Sequence, residues 1–425
     1  MYQDFVQILE EELVPATGCT EPIAIALAAA KARETLNSEP EKMQVLCSRN
    51  IFKNTRSVTV PNSNGLIGIK AAAILGALGG KSSLRMQVLS EVTPPEMEKA
   101  QALVEGPFCE VGLLASDLDL HIQVQVFAGS DSAFVEIKHA HTNITLIKKN
   151  DQIIYEQEEN SGKYLGAFID RSILSVEKIF EFANQVDLAD VRPMIEMQID
   201  DNLAIAEYGI AHQSGVGLGQ MILQRNPEDP YDRARAYAAA ASEARMSGSP
   251  LPVVTNSGSG NQGITTSVPL IILAKAWGAS EEKLFRTLVF SNLLTIHQKA
   301  SIGRLSAFCG AISAACAAGA GMTYLKGGTL QQIEWTLSNT LANIPGVICD
   351  GAKPSCGAKI ASGLDAAINA HQLAMQSRRY NDESGILQSD IEVLIHNVGK
   401  IAKQGMAQTD QVIMNFMING TKPED

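Results

Sequence analysis

Seven cysteines stand in this 425-residue chain, and four of them sit in polar, glycine-rich surroundings: Cys19, Cys309, Cys349 and Cys356. Cys349 and Cys356 share the segment C-D-G-A-K-P-S-C, with six residues between the sulfurs. Gly351, Pro354 and Gly357 bend that segment, so both thiols can face one point. Cys309 stands just before a run of small residues with helical character and can bring a third sulfur. Three converging thiolates are a natural cage for an iron–sulfur cluster with one iron left open. The spacing is neither a ferredoxin run nor the paired-CxxC pattern of a zinc site.

Cys19 lies in P-A-T-G-C-T-E-P, residues 15–22, where Thr20 and Pro22 mark a helix start. A thiol at a helix N-terminus feels the positive end of the macrodipole, which favours thiolate. The plainer alternative is a cysteine packed in a turn, and free cysteine is among the most buried residue types. Cys316, seven residues beyond Cys309 among alanines, reads as packing, and Cys47 and Cys109 read as structural.

Other polar segments offer substrate contacts. Gly258, Gly260 and Gly263 spell G-x-G-x-x-G, but no βαβ unit follows, and Pro269 falls where a dinucleotide-binding helix would run. Asn256, Ser257, Ser259 and Asn261, interleaved with Gly258 and Gly260, suit instead a nest of donors around a carboxylate. The Asn62-Ser63-Asn64-Gly65 turn could serve an anion in the same way, although helix capping is the commoner use of such residues. His139 and His141 stand two apart on a strand-like run. His141, followed by Thr142 and Asn143, is the better candidate for a substrate contact, against the default of a solvated strand face. Lys275 lies too far along an apolar helix for a pyridoxal phosphate lysine, and no G-x-S-x-G elbow is present.

The elements that must position these residues divide the chain in two. Helical periodicity covers residues 1–83 and 161–425, and period-two alternation over 84–160 indicates an inserted α/β module with an antiparallel sheet. The fold class is α+β, mainly helical. Strands are expected within 43–60 around N-I-F-K-N and at L-R-M-Q-V-L-S-E-V, and helices over 66–79 and 265–277. Residues 66–80 and 305–325 are rich in Ala and Gly, which suits buried helices in close contact better than membrane spans.

Composition narrows the function classes. Hydrophobic residues make up 45%, charged residues 19%, and the net charge is -12. With a pI near 5.2, nucleic acid and anionic membrane surfaces are poor partners. The opening M-Y-Q-D-F-V-Q-I-L-E-E-E-L-V-P lacks the basic start and cleavage site of a signal peptide, so a cytoplasmic protein with reduced thiols is expected. The Ala/Gly-rich helices are compatible with a monomer or a homo-oligomer.

P-A-T-G-C-T-E-P, T-N-S-G-S-G-N-Q-G, G-R-L-S-A-F-C-G and C-D-G-A-K-P-S-C resemble, in this order, the signature segments of the L-cysteine desulfidase family, including its uncharacterised bacterial branch. The resemblance covers nearly the whole chain. More distantly, the chain is similar to the iron–sulfur L-serine dehydratases, which carry a similar late C-D…C pair. The resemblance implies a [4Fe–4S] cluster on Cys309, Cys349 and Cys356, with the fourth iron free for substrate. It implies Cys19 as the catalytic base, and L-cysteine as a small-molecule substrate converted to sulfide, ammonia and pyruvate without pyridoxal phosphate. The alternative it leaves is a dehydratase acting on L-serine or another β-substituted amino acid.

Overall fold

Phe5, Ile8 and Leu9 recur at helical spacing and bury one face of α1 (Tyr2–Glu12). The computed structural model describes residues 2–157, 169–303 and 305–419. The module boundary expected at 160–161, and Arg304 of G-R-L-S, lie outside the described residues. After α1 come β1 (Pro15–Thr17), α2 (Thr20–Leu36), β2 (Lys42–Cys47), α3 (Arg49–Thr55) and α4 (Gly68–Gly79). Thr93 and Glu96 then build a capping box that starts α5 (Pro94–Val104). Strands β3 (Cys109–Leu113), β4 (His121–Ala128), β5 (Asp131–Lys138), β6 (Ile144–Lys149) and β7 (Gln152–Glu156) follow.

The sheet runs in the order β3-β2-β4-β5-β6-β7. Only β2 and β3 are parallel, and the other neighbours are antiparallel. Alternate residues of β4 and β5 pair in register on the buried face: Ile122 with Ile137, Val124 with Val135, Val126 with Ala133. α2 lies across them, and α4 packs on α2. The two helices touch closely because their residues are small: a Cβ at Gly76 would stand 2.3 Å from the Ala26 carbonyl oxygen. Burying Ile23, Ile25 and Leu27 of α2 contributes about 1.5–3 kcal/mol each. This core draws on residues 16–147, so β2, α2 and α4 join the sheet unit from ahead of residue 84.

The second core is helical. It contains α6 (Val176–Gln185), α7 (Leu188–Ala211) and α9 (Pro230–Met246), while α8 (Leu218–Arg225) packs Ile222 in a small separate cluster with Ala236, Ala239 and Ala361. A short strand β8 (Pro252–Val254) leads to α10 (Gly260–Trp277), α11 (Glu281–Ile302), α12 (Gly310–Leu325) and α13 (Leu330–Asn343). Then come α14 (Cys356–Met375), α15 (Ile391–Lys400) and α16 (Ala407–Asn419). The helices α9, α10, α12 and α14 pack on one another. The fold is therefore α+β and mainly helical. Among the described residues no helix is long and apolar enough to cross a membrane.

Four local expectations change. N-I-F-K-N is not strand: β2 ends at Cys47, and Asn50–Asn54 lie in α3. L-R-M-Q-V-L-S-E-V is not a strand either. Ser82–Gln87 forms a tight 3-10 turn in which Arg85 has φ 51, a left-handed conformation that breaks any pleat. His139 and His141 do not share a strand face, because β5 stops at Lys138 and His139 turns the chain at φ 68. α10 begins at Gly260 rather than 265 and continues through Pro269. In its first two turns the hydroxyls of Thr265 and Ser267 donate to the carbonyls of Asn261 and Gly263.

Candidate active site

β1 and β8 pair antiparallel, Pro15 with Val254 and Thr17 with Pro252. This pairing carries the Cys19 turn to the T-N-S-G-S-G segment, where the Thr20 hydroxyl donates to the Gly258 carbonyl at 3.0 Å. A cavity of about 90 Å³ opens at this junction, room for several water-sized groups. Its wall includes all four glycine-rich cysteines: Cys19, Cys309, Cys349 and Cys356. Four helices also begin there. Cys19 caps α2, Ser259 caps α10, Cys309 caps α12, and Cys356 is the first residue of α14. The positive ends of four macrodipoles thus meet at one cavity, a field that favours anions.

Backbone pairing explains why Cys309 and Cys349 come together. The Cys309 N–H donates to the Val347 carbonyl at 2.9 Å, and the Cys349 N–H donates to the Ala307 carbonyl at 2.6 Å. Gly351 then turns the loop at φ 101, tight against the Lys53 carbonyl, and the chain enters α14 at Cys356. The Cys309 thiol hydrogen-bonds Cys349; that bond and burial push Cys309 well up. The same bond, with Lys53 and Lys359 nearby, holds Cys349 down to about 6 against the effect of burial. Burial pushes Cys356 up. Lys53 is itself buried and pairs with Asp410 of α16.

Among the described residues no three His, Cys, Asp or Glu side chains gather tightly enough to hold a single metal ion. Three soft sulfurs on one cavity wall have the donor chemistry that an iron–sulfur group takes. Cys309, Cys349 and Cys356 are the residues that could hold it.

Of the two readings of Cys19, the packed cysteine agrees with its burial and the helix-start thiolate does not. Cys19 is 3% exposed, and burial, then the charge of Glu21, push its thiol well above the usual range despite the opposing pull of Arg245. The thiol donates to Glu21 Oε2 at 3.0 Å. Glu21 also accepts from Asn54 Nδ2 at 2.9 Å and from the Thr20 hydroxyl at 3.1 Å. Burial would raise its carboxyl, but the charge of His141 and these hydrogen bonds outweigh burial and hold it down. Cys19 and Glu21 therefore form a thiol–carboxylate pair.

The remaining candidates separate. Gly258, Ser259 and Asn261 line the cavity, as do Gln262, Arg245 and Lys299. Asn256 does not reach it: its amide donates to the Asn292 carbonyl, and its oxygen accepts from Ser257. Ser257 faces a neighbouring cavity, and Gly260 packs against Arg245. Asn62 and Asn64 also lie off the wall. Both adopt left-handed φ, 52 and 56, to make the turn before α4, and the Asn62 amide donates to the Leu89 carbonyl. His141 is buried off the wall and acts through its charge on Glu21. Sequence reasoning missed Glu21, Asn54, Arg245 and Gln262. Glu21 and Gln262 sit inside the quoted motifs, whereas Asn54 carried no signal beyond a polar residue in an expected strand, and Arg245 none beyond a polar residue in a helix.

The sequence pattern described as "Serine dehydratase alpha chain" matches residues 83–415. A UPF0597 protein of Lachnoclostridium phytofermentans is 47% identical over 419 residues, 99% of this chain and 100% of the relative. UPF0597 proteins of Treponema denticola and Finegoldia magna are 43% and 44% identical; each alignment covers 98% of this chain, and 98% and 99% of the relative. The chain belongs to the serine dehydratase alpha chain family and to the group of bacterial proteins named UPF0597.

Proposed function

We propose that the cavity catalyses β-elimination on a small free α-amino acid, with L-cysteine giving sulfide, ammonia and pyruvate. Its [4Fe–4S] cluster would be held by Cys309, Cys349 and Cys356. The reading rests on one observation above the others: these three sulfurs and the Cys19–Glu21 pair line the same small cavity. When bound, such a cluster supplies a Lewis-acidic iron for the leaving heteroatom of the substrate.

The chain's own residues handle the proton. The substrate's α-proton goes to Cys19 Sγ, and the thiol's proton passes to Glu21 Oε2 across the existing 3.0 Å contact. Asn54 and Thr20 hold that carboxylate in place. Leu305 and Phe308 contribute apolar wall and limit water, which strengthens every charge interaction inside. Ser259 and Asn261, at the start of α10, face the polar end of the substrate. Elimination leaves an aminoacrylate, which adds water and releases ammonia and pyruvate.

The family description favours a second substrate, L-serine, which would lose water in place of sulfide. The test is anaerobic iron and sulfide loading, followed by parallel assays of sulfide from L-cysteine and pyruvate from L-serine. Faster turnover of L-cysteine supports the desulfidase reading. Faster turnover of L-serine makes the protein a dehydratase, and no turnover of either overturns both.

A further inference from the structure

Arg245 stands in the last turn of α9, is 2% exposed, and lines the cavity. Its Nε has no hydrogen-bond partner, and among the described residues no ion pair or side-chain hydrogen bond satisfies the guanidinium. Two other arginines also leave Nε open, but each uses its terminal nitrogens. Arg33 donates to the Gly80 carbonyl at 2.6 Å, and Arg235 pairs with Asp232 at 2.7 Å. A guanidinium is charged at any working pH, so a buried one held by no direct ion pair or hydrogen bond keeps its donors open to an incoming anion.

Gly260 keeps the place open. A Cβ there would lie 2.4 Å from Arg245 Nε and 2.6 Å from Cζ. Two acceptors on the same wall are also unanswered, Gln262 Oε1 and Asn54 Oδ1, on residues 4% and 8% exposed. One open cation and two open acceptors are the complement of a carboxylate beside an ammonium. The N-terminus of α10, which begins at Gly260, adds its positive field on the Arg245 side.

We propose that Arg245 is the carboxylate clamp of the cavity and that Gln262 and Asn54 receive the α-ammonium, so the site takes free α-amino acids and rejects their amides, esters and peptides. This rests on the cavity being the substrate site. It moves the carboxylate from the Asn256–Asn261 nest to a guanidinium fork, which binds a carboxylate with two parallel hydrogen bonds.

The test uses L-alanine, which has no β-heteroatom to lose, and L-alaninamide, which has no carboxylate. Calorimetric binding to the anaerobically purified protein is expected to favour L-alanine by about 10- to 100-fold. Arg245→Met removes the preference. Gly260→Ala, which keeps the charge but displaces the guanidinium, removes it as well. Because the lost charge has no partner, Arg245→Met unfolds at the same temperature as wild type or higher, which an architectural arginine would not do. No preference in wild type, or a preference retained in Arg245→Met, overturns the proposal. So does a retained preference with only a shifted pH profile of turnover, which makes Arg245 the counter-ion of Cys19. If neither L-cysteine nor L-serine is turned over yet the binding pattern holds, the lyase reading fails and the clamp stands.

Discussion

On the sheet, Glu136 accepts from His121 Nε2 at 2.9 Å, from Gln123 at 2.9 Å and from Thr145 at 2.8 Å, and it pairs with Lys138 at 2.8 Å. The other ring nitrogen of His121 meets the Ser116 hydroxyl at 2.9 Å. At the cavity, by contrast, Arg245, Gln262 and Asn54 are as deeply buried and leave atoms unanswered. Both regions put polar groups where burial penalises them. The sheet cluster closes on itself and acts as architecture. The cavity cluster stays open toward the empty space it lines, which is what a ligand-binding wall requires.

The comparison gives ordered expectations. The largest effect is at the cavity: Glu21→Gln removes the proton acceptor of Cys19 and lowers turnover by about 10²–10⁴-fold, read by steady-state kinetics, with unchanged iron content. Next, Glu136→Ala breaks the closed cluster and costs about 3 kcal/mol in denaturant unfolding, with turnover preserved. That loss depends on pH. Burial alone would raise the Glu136 carboxyl, but its partners hold it well below the ordinary 4.5, so its stabilisation is complete above that value. It fades as pH falls through the lowered value, and the gap between wild type and variant narrows in acid.

A smaller effect tests the pair directly. Removing the Glu21 charge lets the Cys19 thiol ionise more readily, so Glu21→Gln reacts with iodoacetamide at Cys19 about tenfold faster at pH 8, read by peptide mass spectrometry. An unchanged rate would mean that burial alone sets the thiol. Smallest of all, Asn64→Gly at the exposed turn changes stability by less than about 1 kcal/mol and leaves turnover unchanged. A large loss of turnover there would return the Asn62–Asn64 turn to the site.

Much of this was legible in the chain. Glycine and proline placement around Cys349 and Cys356, and the helix start at Cys19, reported the backbone correctly because those residues act locally. The small-residue helices also read correctly, since close approach needs small side chains wherever the partner lies. The protonation of Cys19 stayed open between a helix-start thiolate and a packed cysteine, because the burial and the Glu21 charge that raise the thiol exist only in the folded protein. Arg245 was silent for a related reason. What marks it is the absence of a partner, and a partner is a property of tertiary structure. Asn256 was overvalued because a polar, glycine-rich segment does not show which of its side chains turns inward to Asn292.

The most direct measurement is anaerobic reconstitution of Cys19→Ala and Cys349→Ala beside wild type, with iron, acid-labile sulfide and visible absorbance followed in each. The expected result is a full brown cluster without turnover in Cys19→Ala, and no stable cluster in Cys349→Ala. A cluster lost from the Cys19 variant, or retained by the Cys349 variant, would contradict the division of labour among the four cysteines.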